Sequence, residues 1–289
     1  MPLVGAAGIG SMLGSGIIIG LSATITVWQS GLGLTDGQVG ILSGALTFAI
    51  AAGSLLAGNI TKLFGLIRSF NMMNLMYLIG AAICVLSGNF PVLLAGLIIT
   101  GFASGADLPI SLTVISHDAP NEKVSASLIA STQVFWQIGV LGSYAMAFIV
   151  SHVEGAAGAR MVFALLAILA GIAFVWRTFS KKFKEFHAAG DEYRAAEGTK
   201  TSTEVSFASL FKGTDGKKYV SFFSCIIIFY VCWNLLANTF GQFQTYILVK
   251  ANASQSLATG CGIVLNIVGL ICGILFASAA GSKHRNKFF

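Results

Sequence analysis

The stretch TGFASGADLPISLTVISHDAP, residues 100–120, starts inside an apolar run and ends in a charged loop. It contains Asp107, which we take as the only charged side chain well inside a hydrophobic segment. A charge at membrane depth is costly unless it faces the interior of a helix bundle or a water-filled cavity, so Asp107 is a candidate functional residue. At helical spacing its face also carries Thr100, Ser104 and Ser111.

The residues around Asp107 favour an inward-facing position. Gly101 and Gly105 form a GxxxG step, which lets a second helix approach closely. Pro109 can kink the helix and frees one backbone carbonyl. Three roles stay open for Asp107: a proton carrier, a contact for a cationic substrate, or a buried acceptor held in its protonated form. Its position toward one end of the helix favours a gating or structural role.

The composition of the 289-residue chain is typical of a membrane protein. Hydrophobic residues make up 55% of the chain, charged residues only 10%, and the mean hydropathy is +0.82. A soluble domain carries roughly 25% charged residues. Apolar runs close to the roughly 20 residues that cross a bilayer as a helix recur along the whole chain. We therefore predict an all-α polytopic membrane protein, a helical bundle with about eight transmembrane helices.

The predicted spans divide the chain into three regions. Residues 1–178 form a six-helix half, with spans at about 4–28, 37–64, 70–86, 91–116, 124–150 and 161–176. Residues 179–218 are rich in charge and are predicted to be a linker, helical around Lys181–Ala196. Residues 219–289 begin a second half, with spans at about 219–249 and 257–280.

The basic residues predict the orientation of the chain. The loops after the second, fourth, sixth and eighth spans hold 15 of the 17 lysines and arginines, and the remaining two are Arg160 and Lys250. Arg177 is counted here in the basic cluster that follows the sixth span. By the positive-inside rule, the N-terminus, the linker and the C-terminus are cytoplasmic, in a protein of the plasma (cytoplasmic) membrane.

Several other function classes find no support in the sequence. The net charge of +6 comes from loop residues, so it does not indicate nucleic-acid binding. The five cysteines lie in apolar runs without a CxxC pair, which favours packing over a metal site. No P-loop, second membrane aspartate or serine with a basic partner at membrane depth is present, so we predict neither an enzyme nor a cofactor. We expect His117 and His152 to be solvated loop residues.

Six helices, a long linker and further helices are the layout of the major facilitator superfamily, and local motifs agree with it. The superfamily's loop motif G-x-L-x-D-x-x-G-R-K resembles GNITKLFGLIR, residues 58–68. Gly58 and Gly65 match, whereas Lys62 holds the acidic position and Leu66 the first basic one. In that superfamily the acidic and basic residues of the cytoplasmic loops form a charge network, so the resemblance implies that Arg68 belongs to such a network. We therefore predict a coupling or gating set consisting of Gly58, Lys62, Gly65, Arg68, Asp107 and Pro109.

The fourth-helix stretch resembles the sugar-porter and related metabolite-transporter branch, where a G-G-D-x-P-x-S segment leads to S-E-x-x-P. Here His117 stands where the family has Glu, so the implied gating network has lost another charge. The superfamily has twelve helices in two halves, and this chain supplies about eight. Three explanations stay open: a truncated gene product, which we favour, a fragment completed by a partner chain, or a homo-oligomer.

Two polar stripes are candidate substrate-binding sites. The first, in the fifth span, consists of Gln133, Trp136 and Gln137. The second, in the seventh span, consists of Trp233, Asn234, Asn238 and Gln242, with Thr245 on the same face. Amides donate and accept hydrogen bonds, and indole faces suit sugar rings. Gln133 followed by Gly139 resembles the sugar-porter segment whose glutamine binds a sugar hydroxyl. The alternative for both stripes is hydrogen bonding that only packs the helices.

We interpret the chain as a secondary active transporter that moves a small polar metabolite by alternating access. A sugar or polyol is the leading substrate, and proton coupling is a hypothesis that depends on Asp107. The expected partners are a small-molecule substrate, the lipid bilayer and protons, with no nucleic acid. Two alternatives stay open. One is a truncated, non-transporting remnant or accessory membrane protein, and the other is a carrier of an organic acid or another small metabolite.

Overall fold

The computed structural model describes residues 2–119, 122–153, 155–196 and 216–280. These ranges are almost entirely helical. The helices are α1 (Pro2–Leu32), α2 (Asp36–Phe64), α3 (Leu66–Leu86), α4 (Phe90–Asp118), α5 (Glu122–Ile149), α6 (Ala157–Phe179), α7 (Lys181–Ala196), α8 (Gly216–Lys250) and α9 (Gln255–Ala280). A single 3₁₀ turn, Val150–His152, follows α5.

Eight of these helices are long and apolar enough to cross a membrane, which confirms the predicted class and number of spans. The exception is α7, whose sequence KKFKEFHAAGDEYRAA is charged. The membrane-spanning helices begin one to four residues earlier than predicted, and polar side chains cap the starts of α2 and α4. Thr35 and Gln38 form a capping box at the start of α2, and Asn89 accepts from the backbone N–H of Val92 at the start of α4.

The first six spans form one bundle around α1 and α4. Both of these helices are mostly buried; α2 and α3 pack on α4, and α5 and α6 pack on α1. Fully buried Trp28 of α1 meets Phe163 of α6 edge to face, with 5.7 Å between ring centroids. Tyr77 of α3 donates its hydroxyl to the carbonyl of Leu13 on α1 at 2.9 Å. The buried Tyr77 hydroxyl is therefore hydrogen-bonded, whereas Nε1 of Trp28 has no partner among the described residues.

The predicted close approach at Gly101 and Gly105 takes place against α2. A Cβ atom at Gly105 would collide with the carbonyl oxygen of Ile50, and one at Gly101 would lie 3.0 Å from the carbonyl oxygen of Leu46. Glycine therefore lets the two backbones touch, as small residues do between membrane helices.

Pro109 lies inside an unbroken α4. Its missing N–H frees the carbonyl of Gly105, four residues earlier. The hydroxyl of Ser54 on α2 donates to this carbonyl at 2.8 Å. The proline therefore costs the helix one backbone hydrogen bond, and the neighbouring helix replaces it.

Among the residues that the structure describes, the hydrogen bonds between the six-helix bundle and helices α8 and α9 lie at one end. The hydrogen-bonded pairs, at 2.6–3.0 Å, are Ser22–Gly241, Ala23–Gln255, Thr26–Gln255, Asp36–Lys250, Thr47–Gln242 and Ser151–Ser256. They lie toward the end of α1 and the start of α9, which is the predicted outer end. Toward the start of α8, every side chain over residues 220–240 is exposed except that of Asn234, which is half-buried. The bundle and α8 therefore diverge toward the predicted cytoplasmic end.

The linker prediction is described only in part. Helix α7 lies at the residues where helix was expected, and Ser180 is the single residue between α6 and α7. Residues 197–215 of the predicted linker and the basic residues after 280 lie outside the described residues. The division into 1–178, 179–218 and 219–289 stays a prediction.

Replacing Gly105 by alanine tests the contact between α2 and α4. We expect a melting temperature several degrees lower in detergent, because the added methyl group must push the backbone at Ile50 away. Gly44→Ala is the matched control, since a Cβ atom there meets no atom within 4 Å. Both changes raise intrinsic helix propensity by up to about 1 kcal/mol. Equal melting temperatures for the two variants would contradict the close contact.

Candidate functional site

Asp107 is part of a buried ion pair. Its Oδ1 atom lies 2.6 Å from Nη1 of Arg177 on α6, and its Oδ2 atom lies 3.2 Å from Nη2. Both residues are almost fully buried, with 3% of Asp107 and 2% of Arg177 exposed. The side-by-side arrangement is the bidentate geometry that suits a guanidinium and a carboxylate. The structure thus confirms that Asp107 faces the bundle interior.

The remaining donors of Arg177 reach two other helices. Nε and Nη2 donate to the carbonyl of Ala6 on α1 at 3.1 and 2.7 Å, and Nη1 donates to the carbonyl of Phe70 on α3 at 3.0 Å. The guanidinium carbon also lies 3.8 Å from the centroid of the Phe70 ring. The amide of Asn74, with its oxygen turned toward Arg177, accepts from Nε and Nη1 at 3.0 and 2.9 Å. One side chain therefore joins α1, α3, α4 and α6.

Asp107 is held from its own helix and from α1. The hydroxyl of Ser111, one turn later, donates to Oδ2 at 3.2 Å. On α1, a Cβ atom at Gly10 would collide with the same carboxylate oxygen, so only glycine leaves room for the charge pair. All four members of the predicted stripe, Thr100, Ser104, Asp107 and Ser111, are buried.

The assignment of Arg177 to the cytoplasmic basic cluster was wrong, and so was the view that Asp107 is the only charge at this depth. Arg177 is the last residue of a buried stripe on α6 that includes Leu166, Ala170 and Ala173. Because that spacing continues the helical repeat, the sequence contained a signal for its inward position. Its long side chain turns into the bundle, since a partner for its charge lies there and not in solvent.

A buried ion pair, in which the two charges balance each other, can hold α4 and α6 together permanently or can act as a switch. While both groups are charged, each removes the cost of burying the other. Protonation of Asp107, or its displacement, would leave the guanidinium without a counter-charge and would favour separation of α4 and α6. The geometry is therefore compatible with the gating or structural role favoured for Asp107.

The first candidate stripe lies where four helices converge. Trp136 is half-buried and lines a crevice of about 60 Å³ together with residues of α1, α2 and α4, namely Gly10, Ser11, Gly14, Ile18, Ile50, Ser54, Ser104, Gly105 and Leu108. Gln137 is half-buried and Gln133 is exposed. The lining is mostly apolar, and its polar side chains are the serines Ser11, Ser54 and Ser104. The crevice as it stands is the size of a few water molecules.

A close contact with α1 sets the orientation of this stripe. The hydroxyl of Ser15 donates to the carbonyl of Trp136 at 2.7 Å. One turn along α5, a Cβ atom at Gly139 would collide with Ser15 and with the carbonyl of Met12. Gly139 therefore fixes how near α5 lies to α1, and with it the direction of Trp136.

The second candidate stripe is only partly engaged. Gln242 donates to the hydroxyl of Thr47 on α2 at 2.8 Å, and Thr245 is fully buried. Asn238 donates to the side-chain oxygen of Asn234 at 2.9 Å, and Trp233 is 60% exposed. Within the described part of the chain, no hydrogen bond joins these amides to those of α5. A shared binding site for the two stripes stays a prediction.

The loop set predicted for gating lies at the junction of α2 and α3. Gly65 has φ +83°, a value that side-chain-bearing residues rarely adopt, so glycine is needed for the sharp turn there. Gly58 has no such constraint, because a Cβ atom there would meet nothing within 4 Å. Lys62 lies in the last turn of α2, where a cation suits the helix dipole, and Arg68 is exposed.

The expectation that His117 is a solvated loop residue was wrong. It belongs to the last turn of α4, its side chain is only 16% exposed, and it contacts two carboxylates. One carboxylate is that of Asp118, the next residue on α4, and the other is that of Asp191 on α7. The second partner lies some 70 residues later in the chain, so spacing along α4 could not show it.

A double-mutant cycle tests the ion pair. Arg177→Gln should lower the free energy of unfolding by about 3–5 kcal/mol, because Asp107 would keep a buried charge without a partner. Adding Asp107→Asn to it should cost less than the sum of the two single changes. Thermal unfolding in detergent measures both. Arg160→Gln is the control, since Arg160 is half-buried and donates to the carbonyl of Ser87. Additive losses would contradict the coupling.

Comparison with known proteins identifies relatives of the whole chain. It is 30% identical over 292 residues to the minor myo-inositol transporter IolF of Bacillus subtilis, covering 98% of this chain and 64% of that protein. It is 25% identical over 153 residues to a D-xylose-proton symporter-like protein of Arabidopsis thaliana, covering 52% of this chain and 30% of that one. The chain thus spans less than two thirds of the length of either relative.

The fold also matches a solved structure. The xylose transporter XylE from E. coli, in a partially occluded inward open conformation, superposes with a TM-score of 0.72 at 15% identity, covering 98% of this chain and 73% of that one. The family model described as the Major Facilitator Superfamily matches residues 4–289. The chain is therefore an integral membrane protein that belongs to the major facilitator superfamily, as its motifs predicted.

Proposed function

We propose that this chain is, or is part of, a secondary transporter that moves a sugar or polyol by alternating access. The observation that carries the proposal is the one-ended contact between α8 and the six-helix bundle. Polar pairs hold the predicted outer end closed, whereas residues 220–240 of α8 are exposed toward the other end. A substrate site near mid-membrane would then be reached from the predicted cytoplasmic end.

The candidate site residues support a polar, uncharged substrate. Trp136 lies on α5 beside a crevice whose lining includes serines of α1, α2 and α4, and half-buried Gln137 follows it in the chain. On α8, Asn234 and Asn238 share a helical face with Gln242, which contacts α2. We infer that the two stripes approach each other across the opening. Neutral amides and an indole suit hydroxyl-bearing rings. The relatives named for myo-inositol and D-xylose transport fit this substrate class.

We further propose that the even-numbered loops face the cytoplasm. The described basic residues Lys62, Lys181, Lys182 and Lys184 are exposed at the end of the bundle where α1 begins. Correcting the position of Arg177 removes one charge from that count and leaves the asymmetry intact. By the positive-inside rule, the opening of the bundle then faces the cytoplasm.

Proton coupling through Asp107 is part of the proposal. Its carboxylate is balanced by Arg177, so taking up a proton would weaken the bond between α4 and α6. Protonation would in this way change how two helices of the six-helix bundle are held together. The coupling would act through the packing of the bundle, without direct contact between Asp107 and the substrate.

Uptake into vesicles from a transport-deficient host tests the transport proposal. We expect accumulation of myo-inositol or D-xylose, and about tenfold lower uptake in Gln137→Ala, because one hydrogen bond to the substrate is lost. Ile138→Ala is the matched control, since Ile138 is 50% exposed on the same helix. The test uses the whole protein that contains this chain. If that protein accumulates no hexose, polyol or organic acid, the transporter proposal is wrong and a non-transporting accessory protein replaces it.

Asp107→Asn tests the coupling hypothesis. In vesicles with an imposed pH gradient, we expect the variant to lose accumulation while still exchanging substrate at equal concentrations, because it removes the titratable group. Ser111→Ala removes the hydroxyl that donates to Asp107 without removing a titratable group, so it should keep pH-driven accumulation. Accumulation by Asp107→Asn at the wild-type level would rule out the coupling role.

A further inference from the structure

A second cluster of titratable side chains joins the end of α4 to α7. Asp118, the last residue of α4, has a fully buried side chain. Its Oδ1 atom lies 2.7 Å from Nδ1 of His117, and its Oδ2 atom lies 2.5 Å from Nδ1 of His187 on α7. Nε2 of His117 lies 3.2 Å from Oδ1 of Asp191, also on α7. Two histidines and two aspartates therefore alternate across the helix contact.

The position of His117 has a consequence for its protonation. Each of its ring nitrogens faces a carboxylate oxygen, and a carboxylate can only accept. Neutral imidazole has one N–H donor, so it could satisfy only one of the two contacts. Imidazolium has two donors and satisfies both. His187 needs only one N–H for its contact with Asp118, so either form of that ring fits.

Few other charged groups face the cluster. On α4 the neighbour is Asp118, and on α7 the neighbours are His187 and Asp191. The remaining described charges of α7 are exposed, namely Lys181, Lys182, Lys184, Glu185 and Glu192. Helix α1 contains no charged side chain, and those of Glu122 and Lys123 at the start of α5 lie outside the described side chains. Within the described part, His117 is therefore the group whose protonation decides the charge balance at this contact.

Helix α7 packs closely against α4 at this cluster. A Cβ atom at Gly190 of α7 would lie 2.9 Å from Nδ1 of His117 and 3.0 Å from Oδ1 of Asp118. On the same helix, Phe183 is fully buried against Trp176, with 5.4 Å between ring centroids, and stacks on His187. Helix α7 thus covers the end of the bundle where Arg177 lies. It is held there by Phe183 and Phe186, which pack in a hydrophobic cluster with other helices of the bundle, and by the polar cluster.

We propose that His117, Asp118, His187 and Asp191 form a proton-dependent clasp that holds α7 on the end of α4. With His117 protonated, both carboxylates accept a hydrogen bond and α7 stays docked. When His117 loses its proton, one ring nitrogen presents a lone pair to a carboxylate. One of the two polar contacts between α4 and α7 is then lost, the His187–Asp118 contact remains, and the equilibrium shifts toward released α7. Acid pH therefore favours the docked helix, and alkaline pH favours its release. The clasp does not depend on the transport proposal.

Distance measurement between two spin labels tests the clasp. The labels replace exposed Thr113 of α4 and exposed Ala188 of α7, in a full-length chain whose native cysteines are replaced by serine or alanine. In lipid nanodiscs between about pH 5.5 and pH 8.5, where histidine titrates, we expect one short distance at acid pH. Its population relative to longer distances should fall about tenfold toward alkaline pH, as a charge-assisted hydrogen bond is lost.

Two controls separate the clasp from a general effect of pH. Labels at Thr113 and at exposed Leu63 of α2 should keep one distance at all pH values, because neither belongs to α7. In His117→Gln the distance distribution between Thr113 and Ala188 should no longer change with pH, since the amide does not titrate. A wild-type distance that is constant with pH overturns the proposal, and so does an unchanged pH response in His117→Gln.

Histidine NMR on the wild-type chain, without spin labels, measures the protonation of His117 independently if the cysteine-free chain does not fold. With ¹⁵N-labelled histidines, His117 should carry protons on both ring nitrogens at the acid end and lose one over the same pH interval in which α7 is released. Detection of His117 as neutral at acid pH would overturn the clasp.

Discussion

A guanidinium buried in an apolar bundle must have its charge balanced and its donors satisfied, and this requirement organises the first six helices. Arg177 meets it with a carboxylate from α4, two backbone carbonyls from α1 and α3, and the amide of Asn74. Each partner has to be in place at once, since a half-satisfied buried charge costs more than an apolar substitute. The ion pair therefore specifies one arrangement of four helices, whatever its net contribution to stability.

The features predicted from sequence are those encoded over short distances in the chain. Apolar length predicted the spans, the GxxxG step predicted a close helix neighbour, and Pro109 predicted a freed carbonyl. In each case one helix carries the whole signal. The partner of each feature could not be predicted: the hydroxyl of Ser54 on α2 donates to the freed carbonyl, and Ile50 faces the glycine step. Those pairings depend on how helices are arranged, which spacing within one helix does not encode.

Arg177 shows why charge counting can mislead. The positive-inside count treats every arginine near the end of a span as a loop residue that faces solvent. Arg177 instead continues the buried stripe of α6. His117 shows the same limit from the other side, because one of its two carboxylate partners, Asp191, meets it only when α7 folds back on α4. Both residues lie at the end of a span, where the direction of the side chain determines whether its charged group faces water or the protein interior.

The connection between α6 and α7 is one residue long, so a change in the tilt of α6 moves α7 with it. Phe179 ends α6, Lys181 begins α7, and Ser180 alone connects them. A 16-residue helix is about 24 Å long, so a tilt of α6 by about 10° would swing the far end of α7 by about 4 Å. That displacement exceeds the length of a hydrogen bond. Small rearrangements at the level of Arg177 would therefore be amplified at the surface, where another molecule could read them.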